Sequence, residues 1–117
     1  MTLFDTTQAA LERAMSGATL RHATLAANLA NANTPGYRPS DVDFHSALRS
    51  AMAGGPGAVA AVDISAAPSA DAVLRADGNG VDVDVESAKL AENGLELSAL
   101  AQVARARMDI LRSAIGR

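Results

Sequence analysis

Residues 30–44 read ANANTPGYRPSDVDF. Everything before them has the spacing of a helix, and everything in them argues for its end. Asn31 and Asn33 tolerate the left-handed backbone of a helix C-cap. Thr34 precedes a proline and is pushed out of the α region. Thr34-Pro35-Gly36-Tyr37 fits a type II turn, with proline at the second position and glycine at the third. Tyr37 and Phe44 are two of only three aromatic residues in 117. In a chain this poor in rings, two of them directly behind a helix stop are expected to hold the turn against something larger.

Working backwards, a 3-4 apolar spacing runs through Phe4, Gln8, Leu11, Met15, Ala18, His22, Leu25, Leu29 and Ala32. It predicts a helix ending near residue 33, with Asp5, Thr6 and Thr7 as alternative N-caps. Gly17 weakens it by about 1 kcal/mol relative to alanine. Working forwards, Ser40 and Asp43 offer caps for a short helix in which Phe44, Ala47, Leu48, Ala51 and Met52 share a face. The sequence AGGPG, residues 53–57, ends it.

Residues 54–80 are small, weakly apolar and broken by Pro56, Pro68, Gly78 and Gly80. They read as a flexible insert, with short strands in AVAAVDIS and at Val73-Leu74-Arg75. The final segment, from Val81, predicts a helix over residues 85–115, capped by Asp82 or Asp84 and about 45 Å long. One apolar row is Leu90, Gly94, Leu97, Ala101, Ala104, Met108, Leu111 and Ile115. A second is Leu95, Leu100, Val103 and Ile110. Asp84, Glu86, Glu92 and Glu96 lie early and Arg105, Arg107, Arg112 and Arg117 late, matching the helix dipole.

The fold expected is all-α: long N- and C-terminal helices paired as a coiled-coil-like hairpin, with a short helix and a flexible insert between them. Its segments are 1–33, 34–53, 54–80 and 81–117. The helix-packing residues are Leu11, Met15, Leu25 and Leu29 on one helix, and Leu90, Leu97, Leu100, Val103, Met108, Leu111 and Ile115, from both rows, on the other. A helix apolar on two sides must touch more than one neighbour. Twenty-seven alanines contribute helix propensity and little buried area, so the core is thin. Burial is therefore expected to be completed by another copy or another protein.

Composition excludes much else. A net charge of −3 argues against nucleic acid as the partner. No run is long and apolar enough for a membrane span, and the N-terminus lacks the regions of a cleavable secretory signal. Without cysteine there are no disulfides, zinc-thiolate sites or thiol nucleophiles. His22 and His45 have no second ligand one helical turn away. DGNGVDVDVE misses the glycine and the bidentate glutamate of a calcium loop. Gly78 and Gly80 are not followed by the Lys-Ser/Thr of a phosphate loop. Asp41 and Asp43 read as caps on a surface turn, and Asp82, Asp84 and Glu86 as turn and helix-start residues. The basic last turns are more simply explained by the helix dipole than by acidic lipid. No cofactor, metal or catalytic residue is expected, and no enzyme.

LAANLANANTPGYRPSDVDF, residues 25–44, resembles the N-terminal signature of the bacterial flagellar axial proteins of the rod, hook and hook-associated structures. Its extension through Phe44 is similar to the proximal-rod type of that family, the FlgB type. GNGVDVDVESAKLAENGLELSAL, residues 78–100, agrees, with Val81, Asp82, Asp84, Glu86, Ala88, Lys89, Glu92 and Asn93 in the order seen there. The resemblance covers both ends, roughly two-thirds of the chain. It implies a structural subunit of the flagellar basal body, exported through the flagellar type III apparatus with an uncleaved N-terminal signal. Such a subunit polymerises through its terminal helices in the part of the rod that crosses the periplasm. It implies as neighbours FliE, a FlgC-type rod protein, the MS ring, the export gate and copies of the chain itself. The assembly motif it picks out is Asn31, Asn33, Thr34, Pro35, Gly36, Tyr37, Asp41, Asp43 and Phe44. The alternatives are another axial component, such as the FlgC type, or a helical export adaptor or chaperone.

Overall fold

The computed structural model describes residues 5–70 and 80–116. Two long helices dominate it: α1, Thr6–Ala30, and α4, Val83–Ile115. Between them lie a two-residue strand β1 (Ser40–Asp41), α2 (His45–Ala51) running into a single 3-10 turn (Met52–Gly54), α3 (Pro56–Ala60) and strand β2 (Ala67–Pro68). The chain is mostly helical, and its long terminal helices pack together. A radius of gyration of 17.4 Å and extents of 61 × 29 × 14 Å make it elongated; a spherical domain of this length has a radius of gyration of about 13 Å.

Both long helices start where carboxylates can cap them. Asp5 accepts the Gln8 N–H at 2.8 Å, and Asp82 accepts those of Asp84 and Val85 at 3.0 and 3.2 Å. Each bond satisfies a donor that a helix start leaves orphaned. α4 ends at Gly116, whose φ of 96° is the left-handed cap conformation glycine adopts without strain. α1 ends differently from the expectation. Asn31 is its C-cap, but with φ −103°. The asparagine closes the helix with its side chain instead, Nδ2 donating to the Ala27 carbonyl at 2.8 Å.

The two long helices run antiparallel, as three contacts along them fix. Asn28 meets Glu86, the Ala18 carbonyl meets Asn93, and Gln8 meets Arg107. The row of α1 that turns inward is one residue off the expected one. Leu11, Ala18 and Leu25 are buried as expected. Beside them lie Ala14, Arg21 and the fully buried Asn28, in place of Met15, His22 and Leu29. His22 is exposed, and Met15 and Leu29 are half-buried. On α4 the inward rows are Glu86, Asn93, Leu100 and Arg107, and Leu90, Leu97, Ala104 and Leu111, all buried or half-buried.

The core sits where the residues of α2, α3 and the chain around them close on α1 and α4. Ala18, Val42, Phe44, Leu48, Val59 and Val62 form it, with Ile64, Leu97 and Leu100 packed against it. Gly17 makes it possible: a Cβ there would lie 2.7 Å from the Phe44 ring. Phe44 itself precedes α2 without any side-chain cap bond, so neither Ser40 nor Asp43 caps that helix. Ser40 pairs instead with Pro68, and Asp41 with Ala67, in the antiparallel β1–β2 contact. Ala47 and Met52, expected on the inner face of α2, are exposed.

The expected strand in AVAAVDIS does not form: its first three residues are the end of α3, and residues 62–65 are irregular. Gly55, at φ 87°, redirects the chain, and Pro56 starts α3 in a position where no amide hydrogen is needed. Val59 and Val62 are then both buried in the core. The Arg13 guanidinium on α1 donates to the Val62 carbonyl, its Nε at 3.0 Å, and ties this part of the insert down. The strand expected at Val73-Leu74-Arg75 lies outside the described residues.

Candidate assembly site

The turn that follows α1 is built as its residues dictate. The Thr34 N–H donates to the Asn31 carbonyl at 3.0 Å, and the Tyr37 N–H to the Thr34 carbonyl at 3.2 Å. Gly36 takes φ 75°, as the third position of a type II turn requires. The Thr34 hydroxyl donates to Asn31 Oδ1 at 3.1 Å. Asn33, Thr34, Pro35 and Gly36 are exposed, so the tip of the turn is presented outward.

Its base is held from below by a single side chain. Asn28 is completely buried. Its Oδ1 accepts the Tyr37 hydroxyl at 3.2 Å and the Ser40 N–H at 3.1 Å. Its Nδ2 donates to the Ser40 carbonyl at 2.7 Å and to Glu86 Oε2 at 2.8 Å. Every hydrogen-bonding position of the amide is thereby used, and one residue joins α1, the turn and α4. Tyr37 and Phe44 therefore both rest on α1 of their own chain, one on Asn28 and the other on Gly17.

A charged fork lies next to it. Arg21 Nε and Nη2 donate to Asp41 Oδ1 and Oδ2 at 2.8 and 3.1 Å, the bidentate geometry that suits guanidinium and carboxylate. Lys89 Nζ lies 3.8 Å from Asp41 and 3.9 Å from Glu86. Burial alone would push the Asp41 carboxyl up. The Arg21 hydrogen bonds, the Val42 N–H at 2.7 Å and the charges of Arg21 and Lys89 outweigh it and hold the carboxyl below its ordinary value. The same hydrogen bond with Asp41, opposed by partial burial, raises Arg21 above its own. Asp43, by contrast, is exposed. Farther along, His45 Nε2 and Glu96 Oε1 are 2.7 Å apart and connect α2 to α4.

Sequence reading gave no packing role to Arg21, Asn28 or Asn93; Glu86, read as a helix-start residue, does lie in the first turn of α4 but is also buried against α1. Glu86 is 3% exposed and Asn93 fully buried, its Nδ2 donating to the Ala18 carbonyl at 2.9 Å. A signal was present: Ala14, Arg21 and Asn28 are spaced by seven, as are Glu86 and Asn93. Polar residues at heptad spacing within such a row are the mark of an inward face, but an equally regular apolar row lies beside it.

Along the far end of α4 several large apolar side chains are exposed among the described residues. Val103, Met108 and Ile115, expected among the helix-packing residues, are 49%, 58% and 85% exposed. For Met108 and Ile115 the reason is length. Arg107 already meets Gln8 and Asp5 at the start of α1, so the last two turns of α4 pass beyond it. Leu95, Ala99, Val103, Ala106 and Ile110 form a continuous exposed apolar row on the outer side. Among the described residues no helix is long and apolar enough to cross a membrane, and no group of three or more acidic or histidine side chains is placed to hold a metal ion.

Most of α1 and the NANTPGY turn are also where this chain matches a known family. Residues 9–38 match the family described as flagella basal body rod protein. That is the class: a flagellar rod component. Among curated proteins, the chain is 36% identical to the flagellar basal body rod protein FlgB of Escherichia coli (strain K12), over 115 aligned residues covering 80% of this chain and 83% of that one. It is 35% identical to FlgB of Salmonella typhimurium over 114 residues, 79% and 83% of the two chains. FlgB of Bacillus subtilis (strain 168) matches over nearly full length, 98% and 97%, at 30% identity. The chain belongs to the FlgB family of flagellar basal body rod proteins and is a structural subunit of that rod.

Proposed function

We propose that this subunit occupies the proximal part of the rod, where the shaft meets the membrane-embedded ring. It reaches that place as an unfolded chain through the flagellar type III apparatus and polymerises through its terminal helices. Its neighbours are copies of itself, FliE, a FlgC-type rod protein, the MS ring and the export gate. In the rod the two long helices pair as a coiled-coil-like hairpin (segments 1–33 and 81–117). The turn and short helix, 34–53, and the flexible insert, 54–80, connect the two. The motif Asn31, Asn33, Thr34, Pro35, Gly36, Tyr37, Asp41, Asp43 and Phe44 presents an exposed tip to a neighbour, on a base fixed by Asn28.

The observation that carries this reading is the apolar row on α4. Leu95, Val103 and Ile110 project from a single chain with nothing among the described residues to cover them. Apolar surface of this extent on a rod-family subunit calls for a partner. The test is a chromosomal deletion in the source bacterium, read by electron microscopy of purified basal bodies and by fractionation. Basal bodies are expected to stop before the rod, and the complementing protein to leave the cytoplasm with the basal-body fraction. A complete rod in the deletion strain, or a protein retained in the cytoplasm, would overturn the proposal.

A further inference from the structure

We infer that Glu86 and Asn93, with Asn28 opposite, are register-selecting residues: they choose one antiparallel alignment of α1 and α4 from several that the apolar pattern permits. The apolar pattern alone is ambiguous. On α4, Leu90, Leu97, Ala104 and Leu111 repeat every seven residues; on α1, Leu11, Ala18 and Leu25 do the same. Sliding one helix by seven residues, about 10 Å, lays apolar side chain on apolar side chain again. Alanines at 9, 10, 14 and 18, packed along the core side of α1, give little shape to resist the slide. Repeats this regular specify register weakly, and a buried polar residue on a seam is a known way to fix it.

The polar contacts are not periodic in that sense. Slid one way, Glu86 comes opposite the Ala18 carbonyl, acceptor against acceptor, where Asn93 now donates. Slid the other way, Glu86 loses Asn28, Leu100 replaces Asn93 at the carbonyl, and Arg107 takes the place of Leu100 beside the core. A slide of three or four residues exchanges the polar row for the apolar one. Each alternative leaves at least one buried polar group unpaired, and each such group disfavours it by roughly tenfold or more. The selection has a cost in the chosen register: Asn93 Oδ1 is buried without a partner. An apolar residue at 93 would avoid that cost, which is why a role in specificity explains the asparagine better than one in stability. The register decides which outer residues of the two helices stand side by side, and so the surface any neighbour meets.

The chain has no cysteine, so spin labels can be placed freely. Ser16→Cys and Ser113→Cys, both exposed, are offset along the axis, and a seven-residue slide changes their separation by about 10 Å. In the folded fraction of the otherwise unchanged chain, well below its melt, pulsed dipolar spectroscopy should give one distance. In the Glu86→Leu/Asn93→Leu variant a second population should appear, displaced by about that amount, while Glu86→Gln, which can still accept from Asn28, should keep the single distance. A single unchanged distance in the double-leucine variant would overturn the inference. So would loss of all helix in that variant by circular dichroism, since the two residues would then be supports of the fold. The measurement uses the free chain and does not depend on its place in the rod.

Discussion

Gly17 and Phe44 decide the core between them. In an exposed helix, alanine is better than glycine by about 1 kcal/mol. At Gly17 the added methyl would enter the Phe44 ring at 2.7 Å, and overpacking a well-filled site costs about 1–3 kcal/mol. Gly17→Ala is therefore expected to lower the thermal midpoint. Gly94→Ala, with nothing within 4 Å of the new Cβ, is expected to raise stability by about 0.5–1 kcal/mol. Chemical denaturation of the two variants checks both signs. Asp41 makes a second prediction. Its carboxyl is held below the ordinary 3.8, so the unfolded chain binds its proton more readily than the folded one. The stabilisation it gives is complete above 3.8 and is lost as pH falls through the lower folded value. Asp41→Asn should be less stable than the natural chain at neutral pH, and the difference should shrink below about pH 4. Equal stability differences at pH 3 and pH 7 would contradict the Arg21–Asp41 pairing.

At the scale of the element, α4 is long enough to do two things at once. Its first half is held to α1 through Glu86, Asn93 and Leu97, and its second half offers the outer row to a neighbour. Substitutions on an exposed row usually change stability by less than about 0.5 kcal/mol. Val103→Ser with Ile110→Ser is therefore expected to leave the melting curve of the free chain nearly unchanged while abolishing swimming in soft agar and rod completion in isolated basal bodies. Normal motility in this variant would show that the row is not the contact it is proposed to be. The short elements follow from local chemistry. Pro56 starts α3 where proline is favoured, and Val59 and Val62 bury themselves against α1; a strand in the same residues would have exposed one of them. Periodicity in five or six alanine-rich residues does not distinguish the two outcomes.

At the scale of the whole molecule, the described part has nine buried apolar side chains and an extent of 61 Å. A core that small gives a single chain marginal stability, which suits the proposed passage as an unfolded chain. The free chain is expected to melt in a broad transition at modest temperature, with less helix by circular dichroism than α1 and α4 together would give. A sharp melt at high temperature in a monomer would speak against completion of the fold by neighbours.

Sequence alone determined the two long helices, the few candidates for their caps from which Asp5 and Asp82 emerge, the turn at Thr34-Pro35-Gly36-Tyr37, and the family resemblance. Each of these depends on residues close together in the chain, where propensity, capping and proline geometry act. Tertiary structure decided which row of each helix faces inward, because Met15, His22 and Leu29 compete with Ala14, Arg21 and Asn28 on adjacent faces. Only the partners across the gap settle that competition. Asn28 is buried because Tyr37, Ser40 and Glu86 converge on it from as far as 58 residues away. Hydrogen-bond partners that distant leave no local mark on the sequence beyond the spacing of seven.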